Sequence, residues 1–473
     1  MDLIGLEITD AGILAAGGTP ARLLEIEREA IESPGFALPE KKRVTVGRAA
    51  EQKARLFPRQ ILNRFWDQLN TDPLDRTETP TLQNNAEIAY RHLALIWHKI
   101  RKYGNETVMA VPGFYDQTQL GLILGIAREL EMPIKGFVPI ALAASSVYCP
   151  EKMLLHLDIH LHRIEIIYLE QTENLTLRDA VTTGNKGLTH LYQEWVDAIA
   201  REFVRTTRFD PLHRAASEQE LYDRLPEVLS HFVHHPSMVF EMTGESTPFF
   251  ITLERELITG RAESVYREIC GLVEKMRKKH GNDEKPVALQ LSRRLIDLPG
   301  CKERLAEIKD AQIIGLDRGA AACGVAGIWD HLAVQNPGRG TAFFSSRPWQ
   351  PPRRAFDDVP SPEKAAGTHP THLLYRSIAY PINKNPLTIG YAGNIREQGV
   401  QVYGRAEGVS PRLCTIERRG REVVLNDHST DGTFVDETPV NGSVVLKLGQ
   451  MIRTGSSGEK LQLISCINSD ETQ

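Results

Sequence analysis

The chain has 473 residues, of which 41% are hydrophobic and 25% charged, and a net charge of −5. That length holds about two to four domains with ample apolar material for their cores. So mild a net charge argues neither for a nucleic acid nor for a membrane surface held by bulk electrostatics, and no run of about 18 apolar residues is present to span a bilayer.

The chain opens Met1-Asp2, with no basic segment of the kind that begins a secretory leader. The stretch 2-DLIGLEITDAGILAA-16 reads as an apolar strand, an acid, a polar turn and a returning strand. Helical spacing follows in 84-NNAEIAYRHLALIWHKIRKYG-104, with Gly104 as its cap, and in 116-DQTQLGLILGIARELEM-132, with Asp116 as its N-cap. The stretch 154-LLHLDIHLHRIEIIYLE-170 repeats the strand–turn–strand pattern, so the architecture reads as duplicated. Its turn carries His160, His162 and Arg163 where small residues belong. Two amphipathic helices are predicted over 188–207 and 262–281. The mixed α/β part ends near 335, and 336–370 is Pro- and Arg-rich and reads as an extended linker. Within it, 347-RPWQPPRRAF-356 reads either as a solvated spacer or as a segment that folds against a partner through Trp and Arg. Strands and turns dominate 371–466, predicting a small all-β domain before a short tail, 467–473. The six cysteines are scattered, none in a CxxC pair, and read as reduced thiols in a cytoplasmic protein.

Several segments in the first 335 residues resemble, in order and spacing, the nucleotide-binding domain of DnaK-type heat-shock chaperones in the actin-like ATPase superfamily. They are the two hairpins, Gly47 and Ala50 within 44-VTVGRAAEQKARLFPRQILNRFWDQL-69, 108-VMAVPGFYDQTQLGLILGIARELEMPIKGFVPIALAASSVY-148, 184-GNKGLTHLYQEWVDAIAREF-203 and 289-LQLSRRLIDLPGCKERLAEI-308. The resemblance implies a two-lobed α/β actin-like (ribonuclease-H-like, duplicated) ATPase fold. In that family the hairpin tips need glycine, so that backbone N–H groups reach the phosphates, and an acid in each hairpin serves magnesium or the attacking water. Here the first hairpin reads Glu7-Ile8-Thr9 and the second Asp158-Ile159-His160-Leu161-His162-Arg163, so the acids remain, one of them lengthened, and the tip glycines are gone. The family's catalytic lysine falls at Asn63, the acid of its "NEPTAAA" passage at Pro139, and the paired glycines of its adenosine loop at Arg293 and Arg294. Its basic clamp on the adenine falls at Pro226 and Glu227.

The resemblance therefore implies a degenerate cleft lined by Glu7, Thr9, Asp158, His160, His162, Arg163, Arg293 and Arg294, with the second hairpin's side chains filling the vacated space: a pseudo-ATPase with no cofactor. The alternative is a divergent ATPase in which Glu7 and Asp158 act with magnesium and ATP. His156, Asp158, His160 and His162 would share a face of a straight strand and could then hold a transition metal, but the turn at 159–163 breaks that face, and no metal is expected. A further alternative is an anion held by His160, His162 and Arg163.

Residues 371–466 resemble a forkhead-associated (FHA) domain through Ile389-Gly390-Tyr391, Ser410-Pro411-Arg412-Leu413, 429-STDGTFVDE-437 and 448-LGQMIRTG-455. The resemblance implies an all-β sandwich, with Ser410, Arg412, Asp431 and Thr433 as candidates for phosphopeptide contact. The family's phosphate-binding Arg is Tyr391 and its Asn is Asp431, which removes attraction and adds repulsion toward a phosphate, so phosphate-independent docking is favoured. The expectation is a cytoplasmic scaffold or adaptor that engages protein partners through its cleft and its FHA-like domain, an active DnaK-like relative or a phosphorylated peptide among them, and without nucleic acid or membrane.

Overall fold

The first hairpin forms as spaced: β1 (Leu3–Ile8) and β2 (Ile13–Gly17) pair antiparallel and close at Ile8 opposite Ile13. The chain continues through β3 (Arg22–Leu23), α1 (Asn85–Ile100), β4 (Glu106–Val111), α2 (Gln117–Glu129) and β5 (Ile134–Pro139). A second series follows: α3 (Ile140–Ala144), β6 (Met153–Ile159), β7 (Ile164–Gln171), β8 (Asn174–Thr182), α4 (Leu188–Thr207), α5 (Ala215–Phe232), α6 (Arg255–Lys279), β9 (Val287–Leu291), β10 (Ala311–Gly315), α7 (Ala320–Gln335), β11 (Ala342–Phe343) and β12 (Ser346–Pro348). The computed structural model describes residues 3–41, 43–74, 82–244, 247–280, 285–335, 341–349, 370–375, 378–383, 386–391, 399–402, 412–420, 422–429, 432–436, 438–454 and 460–464. The chain divides into two compact units, Met1–Pro352 and Arg353–Gln473.

The N-terminal unit contains two sheets with the same plan. The first is ordered β3–β2–β1–β4–β5 and the second β8–β7–β6–β9–β10. In each, the first three strands are antiparallel and the last two run parallel to the central one. A parallel strand needs a crossover, and α1 and α2 supply those of the first sheet. Each sheet packs its helices over its own core, with Trp66, Leu93 and Ile96 in the first lobe and Trp195, Phe203 and Tyr266 in the second. A third core lies between the sheets and holds α3 and α7. The two helices touch at Gly324, where a Cβ would overlap the Ala143 carbonyl oxygen.

Asn84 caps α1 by accepting the Glu87 N–H at 3.0 Å, and Asp116 caps α2 in a reciprocal capping box with Gln119. Two boundaries differ from those expected. Helix α1 ends at Ile100, before Gly104, because the chain leaves it in a turn in which Tyr103 N–H bonds the Ile100 carbonyl. Helix α6 starts at Arg255, before Ala262, because it follows directly on the strand Thr247–Glu254 and buries Ile258.

The linker expected over 336–370 is corrected within 341–349. Residues Ala342–Phe343 add to the first sheet beside β5, and Ser346–Pro348 to the second beside β8. Arg347 and Trp349, read as a solvated spacer or a partner anchor, are buried within their own unit.

In the C-terminal unit two antiparallel-rich sheets of six and five strands enclose one core of Leu373, Ile389, Cys414, Ile416, Leu425, Ile452 and Leu463. The apolar run 444–455 splits into Ser443–Leu446 and Met451–Thr454, which lie in different sheets, and the chain turns between them at Gly449 with φ +86°. No helix among the described residues is long and apolar enough to cross a membrane.

Candidate functional site

The two hairpin ends meet in the cleft between the lobes, and side chains fill the space between them. Glu7 projects from β1 and Asp158 from β6. Arg294, at the start of the short helix after β9, lies between them, 3.5 Å from a Glu7 oxygen, 3.2 Å from Glu32 and 3.5 Å from Asp158. Three carboxylates thus share one guanidinium. Burial works against the charge of Arg294, but the three anions outweigh it and raise its pKa above the usual arginine value. One cation cannot neutralise three anions, and burial pushes Glu7 up to about 7 despite Arg294, with Asp158 and Glu32 adding to the rise. Asp158 stays ionised: burial opposes its charge, but His160 and Arg294 outweigh it and hold its pKa below the ordinary value. The space left among Glu7, His156, Asp158, Ser292 and Arg294 is a cavity of about 40 Å³. That is room for a few waters.

His160 is fully buried beneath this cluster. Its ring nitrogens lie 3.6 Å from Asp10, 4.0 Å from Asp158 and 3.8 Å from Glu165, and Phe114 packs edge-on against the ring at 5.5 Å. Burial disfavours the imidazolium, yet these carboxylates raise its pKa above that of an ordinary histidine. The rest of the second hairpin's tip reaches the other lobe. Leu161 N–H donates to Asp10 Oδ1 at 2.9 Å, and His162 Nε2 donates to the Asn63 carbonyl at 3.0 Å. Arg163 bonds Asp67 through Nε at 2.6 Å and Nη2 at 2.5 Å and lies 4.1 Å over the Phe114 ring. His162 has its pKa lowered, chiefly by burial. The backbone donors that a phosphate would need are engaged: Leu161 N–H by Asp10, and Gly12 N–H by the Thr9 hydroxyl at 3.0 Å. Gly187 lets α4 start against this turn, since a Cβ there would overlap the carbonyl oxygens of His160 and Leu161.

The structure thus brings together Glu7, Asp158, His160 and Arg294, and places His162 and Arg163 across the lobe interface. Thr9 instead braces its own turn, and Arg293 is exposed and pairs with Asp297 at 2.8 Å. Asp10, Glu32, Asp67, Phe114, Glu165 and Gln290 belong to the site without having been singled out in the sequence. His156 accepts from Gln290 Nε2 at 3.1 Å, so its proton sits on Nε2. Among the described residues no group of three or more His, Cys, Asp and Glu is arranged to hold a metal ion. Beside the filled region an open cleft of about 640 Å³ runs between Arg48, Glu51, Tyr192, Leu229, Asp297 and Arg318.

Ser33 and His92 form a second constellation, which resembles a nucleophile and its base but cannot work as one. His92 Nδ1 accepts from Trp66 Nε1 at 3.0 Å, so Nε2 carries the proton and donates to Ser33 Oγ at 2.7 Å, and the serine hydroxyl donates to Glu27. Burial holds His92 down to about 3, so it stays neutral. A base must accept the serine proton, and here the histidine gives one. The motif glycine Gly47, at φ +71°, gives this relay room, because a Cβ would overlap Glu27 and Ser33.

In the C-terminal unit Gly390 pairs in register with Arg412, so the chain segments carrying Tyr391 and Arg412 adjoin at one sheet end. Ser410 and Asp431 lie outside the described residues, as do the side chains of Tyr391 and Arg412. Thr433, expected among the peptide contacts, is fully buried and donates to Asp427 Oδ1 at 2.7 Å. Asp427 also accepts from the backbone and hydroxyl of Ser429, and these bonds, with those from Thr433, lower its pKa against the effect of burial. Together they brace the turn at Gly432, whose φ is +77°.

The family model of the FHA domain matches residues 388–455. Domains of this class bind phosphorylated peptides, so the match marks this part of the chain as a protein-interaction module. No curated protein matches the chain.

Proposed function

We propose that the N-terminal unit is an actin/DnaK-like, ribonuclease-H-like duplicated fold whose nucleotide site has been filled from within, and that the protein is a non-catalytic cytoplasmic scaffold or adaptor engaging protein partners through its FHA domain. The twice-repeated strand order supports the fold. One observation carries the function: Arg294 occupies the space between the two hairpin acids, and about 40 Å³ remains there. Magnesium-ATP does not fit these residues, because both acids already face a fixed cation and the second tip carries side chains where backbone donors are needed. An active relative supplying the ATP chemistry is the kind of partner such a chain would serve.

In the FHA domain, phosphate-independent docking is the reading we favour, because tyrosine stands at position 391 and aspartate at 431. The full chain is expected to bind a threonine peptide and its phosphorylated twin with affinities within about threefold of each other, and Tyr391→Arg to shift the ratio about tenfold toward the phosphopeptide. Paired peptide titrations by fluorescence anisotropy check this. A wild-type preference of about tenfold or more for the phosphopeptide would establish a phosphothreonine reader instead.

A further inference from the structure

We infer that residues 341–349 form a clasp that holds the two lobes of the N-terminal unit together, and that release of this clasp loosens the filled cleft. The inference does not depend on whether the cleft ever takes a nucleotide.

The segment bonds first one sheet and then the other with no residue between. Ala342 and Phe343 pair with Gly136 and Phe137 of β5, and Phe344 N–H bonds the Phe137 carbonyl at 3.0 Å. The next residue, Ser345, accepts the Leu177 N–H of β8 at 3.0 Å. Ser346, Arg347 and Pro348 then pair with Thr176, Leu175 and Asn174, and Trp349 N–H bonds the Glu173 carbonyl at 2.8 Å. Two separate sheets are thereby joined through the main-chain bonds of adjacent residues, and they cannot slide past each other without breaking those bonds.

Side chains fasten the segment to the helices between the sheets. Phe344 packs edge-on against Trp329 of α7 at 5.7 Å. Arg347 donates through Nε to the Leu142 carbonyl at 3.0 Å and through Nη2 to the Ser145 carbonyl. These are carbonyls at the end of α3, which the helix itself leaves unpaired. The guanidinium also lies 4.6 Å from the Trp349 ring centre, and Trp349 Nε1 donates to Gln171 at 3.1 Å. Helix α3 touches α7 where Ala143 meets Gly324, and Arg347 holds the carbonyls of Leu142 and Ser145 on either side of that contact. The clasp meets the second sheet near Gln171, at the opposite end of β7 from the hairpin tip, roughly 20 Å away at the usual rise per residue. A loosened clasp should therefore be felt at the tip only if it governs the lobes as bodies.

Hydrogen–deuterium exchange on the full chain tests this without any ligand. Arg347→Ala, and separately Trp349→Ala, are expected to speed exchange about tenfold or more in peptides covering 158–163 and 8–13, while the helices α1 and α4 keep wild-type protection. Faster exchange confined to 341–349 and its neighbours 134–137 and 173–177 would overturn the inference and leave the segment as a local sheet-edge cover. Should Arg347→Ala not fold, Trp349→Ala and Arg347→Lys, which keeps the charge but not the fork, carry the same comparison.

Discussion

Arg294→Ala is expected to cost about 3–5 kcal/mol of stability near neutral pH, the range for removing one partner of a buried ion pair. The wild-type chain sets Glu7, Glu32 and Asp158 around this one guanidinium. Of the three acids Arg318 reaches Glu32 alone, at 4.0 Å, and it is half exposed and also paired with Asp297 at 3.9 Å, so it cannot take over. Removing Arg294 leaves a cluster of carboxylates in a cavity that hard cations suit. Millimolar magnesium or calcium should therefore raise the midpoint of denaturant unfolding of Arg294→Ala and leave that of wild type in place. Arg294→Lys should fall between, because a point charge cannot reach all three acids at once. A loss under about 0.5 kcal/mol, the range of ordinary surface changes, with no response to cations would show that Arg294 is not the counter-ion of the cleft.

The same cluster fixes the sign of the pH dependence. Glu7 has a pKa of about 7 in the folded chain against 4.5 ordinarily. Between those values the folded chain keeps a proton that the unfolded chain has released, so the stability contributed by Glu7 is complete below 4.5 and is lost as pH rises through 7. The full loss from Glu7 is on the order of 3 kcal/mol. Asp10 shifts upward too, chiefly by burial, and Glu51 is raised to about 7 for the same reason, so both act in the same direction. His160 adds to the effect on the alkaline side. Its folded pKa lies above 6.5, so its contribution is complete below 6.5 and disappears as pH rises through the raised value. Asp158, with its pKa below 3.8, protects at every pH above that and fails only as acid drops through its lowered value. His92, held down to about 3 by burial, and His156 and His162, lowered by the same cause, work the other way and take stability away as pH falls below 6.5. Greatest stability is therefore expected near pH 6.5, with a fall from there to pH 8.5 that Glu7→Gln makes shallower. Denaturant unfolding across that span measures it. A flat or rising profile, or an unchanged slope in Glu7→Gln, would contradict the assignment.

Both hairpins were legible because their strands alternate and close on polar turns, and the C-terminal strands because turn residues punctuate them. Glu7, Asp158, His160 and Arg294 were legible as positions where a family pattern is broken. Their partners were not. Asp10 and Leu161 are 151 residues apart, and Asp67 and Arg163 are 96 apart, so no local period links them. Glu165 stands between Ile164 and Ile166, and a buried acid between two isoleucines was the available signal. The clasp is hidden in the sequence for another reason. Its strands span two and three residues, too short for alternation to show, within a proline- and arginine-rich stretch that by composition alone resembles a linker.

Calorimetric titration of the full-length chain with magnesium-ATP, beside Asp158→Ala, tests the central claim most directly. A cleft filled by Arg294 and the second hairpin's tip predicts no saturable heat for either protein at millimolar nucleotide. Saturable binding by the wild type that is lost in Asp158→Ala would contradict it and make Glu7 and Asp158 the acids of a working magnesium-ATP site.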